Sequence, residues 1–278
     1  HEVGHTLGLN HNFYSSNLHS LKNIHDSHIT EPVGLTSSVM DYVSSNISPD
    51  KKHQGQFYTT TPGPYDIWAI QYGYEQEKIN PQDEIERKKV LLDKSTNNEL
   101  GFGNDADDMR SPGKGIDPRI MIGDQSTDPV NYAKERMDII RKTYPSLKRK
   151  FDVQGESYHA MKDAFMVLNS EYANSSRTIS RYIGGVYMDR SMSGQVGKNI
   201  PFRPVPKNDQ KWAMTLLGKY VFAPAAFNIP EELFSHLQYE RRGFSGTRAP
   251  NLNDLFLGIQ KGILDQVLHK NVLKRITN

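Results

Sequence analysis

The first eleven residues, His1-Glu2-Val3-Gly4-His5-Thr6-Leu7-Gly8-Leu9-Asn10-His11, set three imidazoles and a carboxylate in the pattern H-E-x-x-H-x-x-G-x-x-H. On an α-helix, positions i and i+4 lie about 40° apart in rotation and about 6 Å apart along the axis, so the His1 and His5 rings can converge on one metal ion. Gly8 permits a left-handed turn that ends the helix, and the chain then doubles back to bring His11 in as a third nitrogen ligand. Three such ligands with a fourth position open to water describe a catalytic zinc site, not a closed structural one. Nickel, cobalt or copper also accept imidazole, but tetrahedral nitrogen with an open position favours zinc. Glu2 starts one residue along and leans beside the metal without binding it. There it can take a proton from a metal-bound water and pass it to the leaving amine.

A second group of residues follows about thirty positions later, Ser38-Val39-Met40-Asp41-Tyr42, preceded by the loop-like Thr30-Glu31-Pro32-Val33-Gly34. With the zinc motif, this segment resembles the metzincin clan of zinc endopeptidases, in which a turn of the type S-x-M-x-Y follows the long histidine motif. The resemblance implies that Met40 lies beneath the three histidines as an apolar, polarizable floor that does not ligate the metal. It also implies that Tyr42 presents a phenol near the zinc, able to hydrogen-bond the tetrahedral intermediate. Gly63-Pro64-Tyr65-Asp66-Ile67-Trp68-Ala69-Ile70-Gln71-Tyr72-Gly73-Tyr74 resembles the helix that closes the catalytic domain in this clan. Pro64 and Asp66 suit its start, Gly73 suits its end, and Ile67, Ile70 and Tyr74 share a face.

Within the clan, H-E-V-G-H-T-L-G-L-x-H-N-F, S-V-M-D-Y and the stretch Phe102-Gly103-Asn104-Asp105-Ala106-Asp107-Asp108 are similar to large bacterial, Bacteroidetes-type zinc-dependent metalloproteases. That resemblance implies a peptide or protein substrate and a secreted, periplasmic or cell-envelope location. Because the motif opens at residue 1, the chain is expected to be the carboxy-terminal part of a longer enzyme. Alone it is expected to bind zinc weakly and to have little or no activity, since a helical first turn with nothing before it frays easily.

The elements that must position these residues are read from pattern. The expected fold is mainly α: the lower, C-terminal subdomain of a zincin-like catalytic domain over residues 1–75, followed by an α-helical lobe over 76–278. Asp83 to Asp93 reads as a charged helix, and Ser95 to Asp128 as a structured loop region. Asp128 and Pro129 cap a helix to about Tyr144 with Val130, Ala133, Met137 and Ile140 inward. Tyr158, Met161, Phe165, Leu168 and Tyr172 recur at helical spacing. Tyr182 to Met188 suits a short strand. Asn208 to Val221 suits a helix with Trp212, Leu216 and Tyr220 inward. Asn253 is expected to cap the last and longest helix, carrying Leu255, Ile259, Ile263, Val267 and Leu273.

Composition narrows the partners. The 278 residues carry 34 basic and 32 acidic side chains, which gives no electrostatic case for nucleic acid. No apolar run approaches the roughly 18 residues of a spanning helix. With no cysteine, the metal must be held by other side chains. Asn104, Asp105, Asp107 and Asp108 offer oxygen ligands of the kind calcium takes, yet the EF-hand spacing with its closing Glu is absent, so a solvated polar turn is the expectation. Lys148, Arg149 and Lys150 read as a helix end and His19, His25 and His28 as surface residues. Two rival functions stand beside this one: a helical module that binds a partner or substrate, with the zinc motif present but not competent, and a zinc hydrolase that uses the same ligands on a bond other than a peptide.

Overall fold

The computed structural model describes residues 1–108, 110–198, 200–238 and 251–277. It is mainly helical: α1 Glu2–Thr6, α2 Ser27–Val33, α3 Pro64–Tyr74, α4 Pro81–Asp93, α5 Pro129–Phe151, α6 His159–Arg181, α7 Lys207–Leu217, α8 Leu252–Val267 and α9 Lys270–Thr277. One antiparallel hairpin, β1 Val186–Met188 with β2 Phe202–Pro204, pairs Tyr187 with Arg203. No helix among the described residues is long and apolar enough to cross a membrane.

The main core lies along the antiparallel pair α5 and α6. Met137, Ile140, Tyr144 and Leu147 on one helix face Met161, Phe165, Tyr172 and Ile179 on the other, all essentially removed from water. Tyr144 donates to Asn169 Oδ1 at 3.3 Å, and Arg136 pairs with Glu171 at 3.3 Å. The α5–α6 pair also backs the layer that carries the motif residues. Tyr132 of α5 is buried with Ile24 and Leu35, and Ser44 donates to Glu171 of α6.

Several elements differ from the pattern reading. α5 continues through Pro145 to Phe151. The lost hydrogen bond, about 3 kcal/mol in a helix interior, is offset by keeping Leu147 and part of Phe151 on the buried stripe, about 1.5–3 kcal/mol for each fully buried side chain. The side-chain cap of α8 is Asn251, which accepts from Asn253 N, and α8 stops at Val267 so that α5 and α6 are longer. In the separate helix α9 the inward residue is Val272, while Leu273 is exposed. Trp212 is 42% exposed because its indole N–H reaches Asn131 Oδ1 at 3.0 Å on the rim of α5. α7 ends at Leu217 in a π-turn over Gly218–Phe222, which still buries Tyr220. The strand shortens to Val186–Met188 because α6 runs on to Arg181 and Gly184 turns the chain with φ 63°. On α3, Ile67 and Tyr74 are exposed and the buried residue is Asp66.

Candidate metal centre

α1 is only five residues long, and its end is set by Gly8. With φ 84°, Gly8 takes the left-handed conformation that lets its N–H reach His5 O at 3.0 Å and lets Leu9 N reach Gly4 O at 3.0 Å. This is the Schellman arrangement, which satisfies the terminal carbonyls of the helix. It also folds the Leu9 carbonyl onto His5 Nδ1 at 2.9 Å and turns the chain towards His11. One nitrogen from each of His1, His5 and His11 then lies within 4.8 Å of the others. Among the described residues this is the only group of three or more His, Asp or Glu side chains so arranged.

The other ring nitrogens are all engaged. His1 Nδ1 lies 2.8 Å from Val39 O and His11 Nδ1 2.7 Å from Asp105 Oδ2. A carbonyl or an ionised carboxylate only accepts, so each Nδ1 is the donor, and in a neutral ring the lone pair then lies on Nε2. The Nε2 atoms of His1 and His11 are buried and have no hydrogen-bond partner. Buried unpaired nitrogen is costly unless something is bound there. The donor set therefore fits a zinc ion.

The turn at Ser38–Tyr42 is held by a carboxylate that no local pattern singles out for this task. Buried Asp66 accepts from Ser38 Oγ at 2.5 Å and Val39 N at 2.8 Å, and from Gly63 N at 3.0 Å at the start of α3. By fixing Val39, it fixes the carbonyl that orients His1. Met40 is fully buried, and its sulfur lies so close to Gly4 that a Cβ there would collide with it. Asn12, also fully buried, donates from its backbone to Met40 O at 3.0 Å and from its side chain to Gly101 O at 3.0 Å. Tyr74 OH donates to Leu7 O, tying the end of α3 to the end of α1.

Tyr42 is 46% exposed, with its ring centre 4.5 Å from that of His1 and 5.1 Å from that of His11. Glu2 stands exposed in the first turn of α1 beside the ligands. Behind the turn, burial pushes the Asp41 carboxyl up to about 7, against hydrogen bonds from Ser15, Tyr42 N and Ser16 that favour its charged form.

The acidic stretch after Gly103 is a turn that water reaches only in part, exposed at Asp105 and buried at Asp108, and its carboxylates do not gather around one point. Asp105 goes to His11, Asp107 to Arg190 and buried Asp108 to Arg181. His19 is buried instead of exposed, with Nε2 2.7 Å from Gly34 O, and desolvation lowers its pKa. His25 is half-buried and lowered for the same reason, with Arg136 adding to the effect, while His28 is exposed. A cavity of about 400 Å³ lined by Tyr14, Tyr65, Trp68, Phe102, Arg119 and Arg190 contains none of His1, His5 and His11.

A helix stopped by a glycine turn so that three imidazoles face one point, above a buried methionine turn, is the arrangement of metzincin-type zinc metalloproteases. The chain belongs to the Met-zincin family, whose model matches residues 1–278. No curated protein and no solved structure matches it.

Proposed function

We propose that this chain carries the metal-holding and proton-transferring residues of a zinc-dependent endopeptidase. The observation that supports this best is the state of the rings: three Nδ1 atoms are committed to acceptors, so three Nε2 lone pairs are left for one ion. His1, His5 and His11 hold the metal, and Met40 fills the space beneath α1. Bound there, zinc supplies Lewis acidity towards water and the scissile carbonyl.

The remaining steps belong to the chain's own side chains. Glu2 accepts the proton that water loses as its oxygen bonds to the carbonyl carbon. It then delivers that proton to the amine nitrogen as the C–N bond breaks. The Tyr42 phenol donates a hydrogen bond to the oxygen that gains charge.

Metal content and cleavage of a generic unfolded protein substrate test the reading. With zinc in excess one equivalent is expected, lost in His5→Ala and retained in Glu2→Gln, while proteolysis, measured in the full-length protein, disappears in both. Tyr42→Phe should keep the metal and lose roughly 10²–10³-fold in kcat, the usual effect of removing one oxyanion donor. Unchanged cleavage by Glu2→Gln would remove the carboxylate from the mechanism.

A further inference from the structure

The role of Asp105 extends beyond one hydrogen bond, because the loop that carries it is fastened on both sides. Before it, Phe13 N donates to Gly103 O at 2.7 Å and Gly103 N to Asn12 Oδ1 at 3.2 Å, so the loop entrance is tied to the residues that follow His11. After it, both Asp107 oxygens accept from the Arg190 guanidinium at 2.6 and 2.7 Å, and Asp107 also caps Asn104 N at 3.0 Å. The same guanidinium donates to Phe102 O at 3.0 Å. One residue further, Asp108 accepts from Arg181, the last residue of α6, at 2.5 Å. Two cations from distant parts of the chain thus hold the two carboxylates that follow Asp105.

This fastening matters because the Asp105 side chain is 63% exposed. An exposed contact to a mobile carboxylate is weak, since water competes and ordering the partner costs entropy. A carboxylate whose backbone is already fixed loses little on meeting the ring, and can hold both its plane and its tautomer.

We propose that Asp105 is a positioning residue for His11, and that Arg190, with Arg181 beside it, acts on the metal centre by holding the loop that presents Asp105. The proposal rests on the reading of His11 as a metal ligand. It gives the segment after α6 a definite task at the metal centre.

The test uses the whole chain and two measurements. Zinc affinity, read by competition with a chromophoric chelator, should fall about 10–100-fold in Asp105→Ala, the range typical when a ligand's supporting partner is removed. Arg190→Ala should weaken binding less, and the double variant should bind no more weakly than Asp105→Ala alone, because Arg190 acts through Asp105. Asp107→Asn removes the charge from the other side of the same clamp and should reproduce Arg190→Ala if that variant folds poorly. Without metal, ¹⁵N shifts of labelled His11 should report the Nδ1–H tautomer in the wild type and a move towards Nε2–H in Asp105→Ala and Arg190→Ala. Unchanged affinity in Asp105→Ala, multiplying losses in the double variant, or an unmoved His11 tautomer overturns the proposal. Zinc bound equally well by His5→Ala overturns the metal-site reading, and the metal-free tautomer measurement still decides the part played by Asp105.

Discussion

Gly4 and Gly73 are both helical glycines, and the same substitution at the two positions should have different consequences. Alanine in a helix interior is worth about 1 kcal/mol over glycine through backbone entropy. At Gly73, in α3, an added Cβ meets nothing within 4 Å, so Gly73→Ala should gain most of that amount. At Gly4, in α1, the added carbon runs into the Met40 sulfur. Methionine is flexible, but Met40 is fully buried, its N–H is held by Ser38 Oγ at 3.0 Å and its carbonyl by Asn12 N at 3.0 Å. The backbone is therefore held, and the buried side chain can give way only by displacing its neighbours.

Overpacking a well-filled site costs about 1–3 kcal/mol. The helix gain is common to both substitutions, so the difference between them isolates this packing cost. For a chain of this size the difference corresponds to several degrees in Tm, at roughly 2–4 °C per kcal/mol. The assay is urea or thermal unfolding of metal-free wild type, Gly4→Ala and Gly73→Ala, with Met40→Ala and the Gly4→Ala/Met40→Ala pair to close a cycle. The pair should be less destabilised than the two single variants together, because Met40→Ala removes the obstacle and the new methyl enters the space it leaves. Equal effects at Gly4 and Gly73, or strict additivity with Met40→Ala, would refute the reasoning that Gly4 exists to admit Met40.

Further expectations follow from the same groups. Asp66→Ala leaves Ser38 Oγ, Val39 N and Gly63 N without their acceptor and should cost at least about 3 kcal/mol; urea midpoints measure this, and a near-neutral result would mean water replaces the carboxylate. Since Val39 O orients His1, the same variant should also bind zinc more weakly. Asp41 titrates in the folded chain at about 7 against an ordinary 3.8, so the native state holds an extra proton between those values. Its contribution is fully present below about pH 4, declines as pH rises, and is gone above about pH 7, a change on the order of 4 kcal/mol. Asp41→Asn should remove this slope, leaving only a constant offset; an identical slope in the variant assigns the pH dependence elsewhere. Zinc should raise Tm and a chelator reverse the rise, as for any ligand bound only by the folded chain.

The features readable from the sequence are those whose cause is local. His1, His5, Gly8 and His11 lie within eleven residues of chain, so one helical turn and the glycine turn that ends it bring them together. The starts of α3 and α5 announce themselves through Pro64 with Asp66 and through Asp128 with Pro129. Where a distant partner decides, pattern fails. Trp212 belongs to the apolar stripe of α7 by spacing, yet Asn131 keeps it half in water. Pro145 reads as a helix end until the burial of Leu147 is counted. His19 looks like a surface residue because nothing near it in sequence reveals that Gly34 O waits inside.

The same distinction runs through the metal centre and separates what selects the metal from what aims the ligands. On the proposed reading, ligand identity comes from an eleven-residue motif. Ligand orientation comes from Val39 O, fixed by Asp66, from Leu9 O, fixed by the Gly8 turn, and from Asp105, 94 residues beyond His11. Only the Leu9 contribution has a local signature. A three-residue match of imidazoles elsewhere in a sequence would lack the other two, and its rings would be free to spend their lone pairs on solvent. The sensitive positions outside the motif should accordingly be residues such as Asn12 and Asp105 in loops and Asp66 in the first turn of α3, whose side chains bond to backbone, hydroxyl or ring atoms and have no hydrophobic period to mark them. An acidic stretch like 104–108 resembles a surface turn or a cation loop in composition, and becomes part of the centre only because Arg181 and Arg190 bind its carboxylates from the far side.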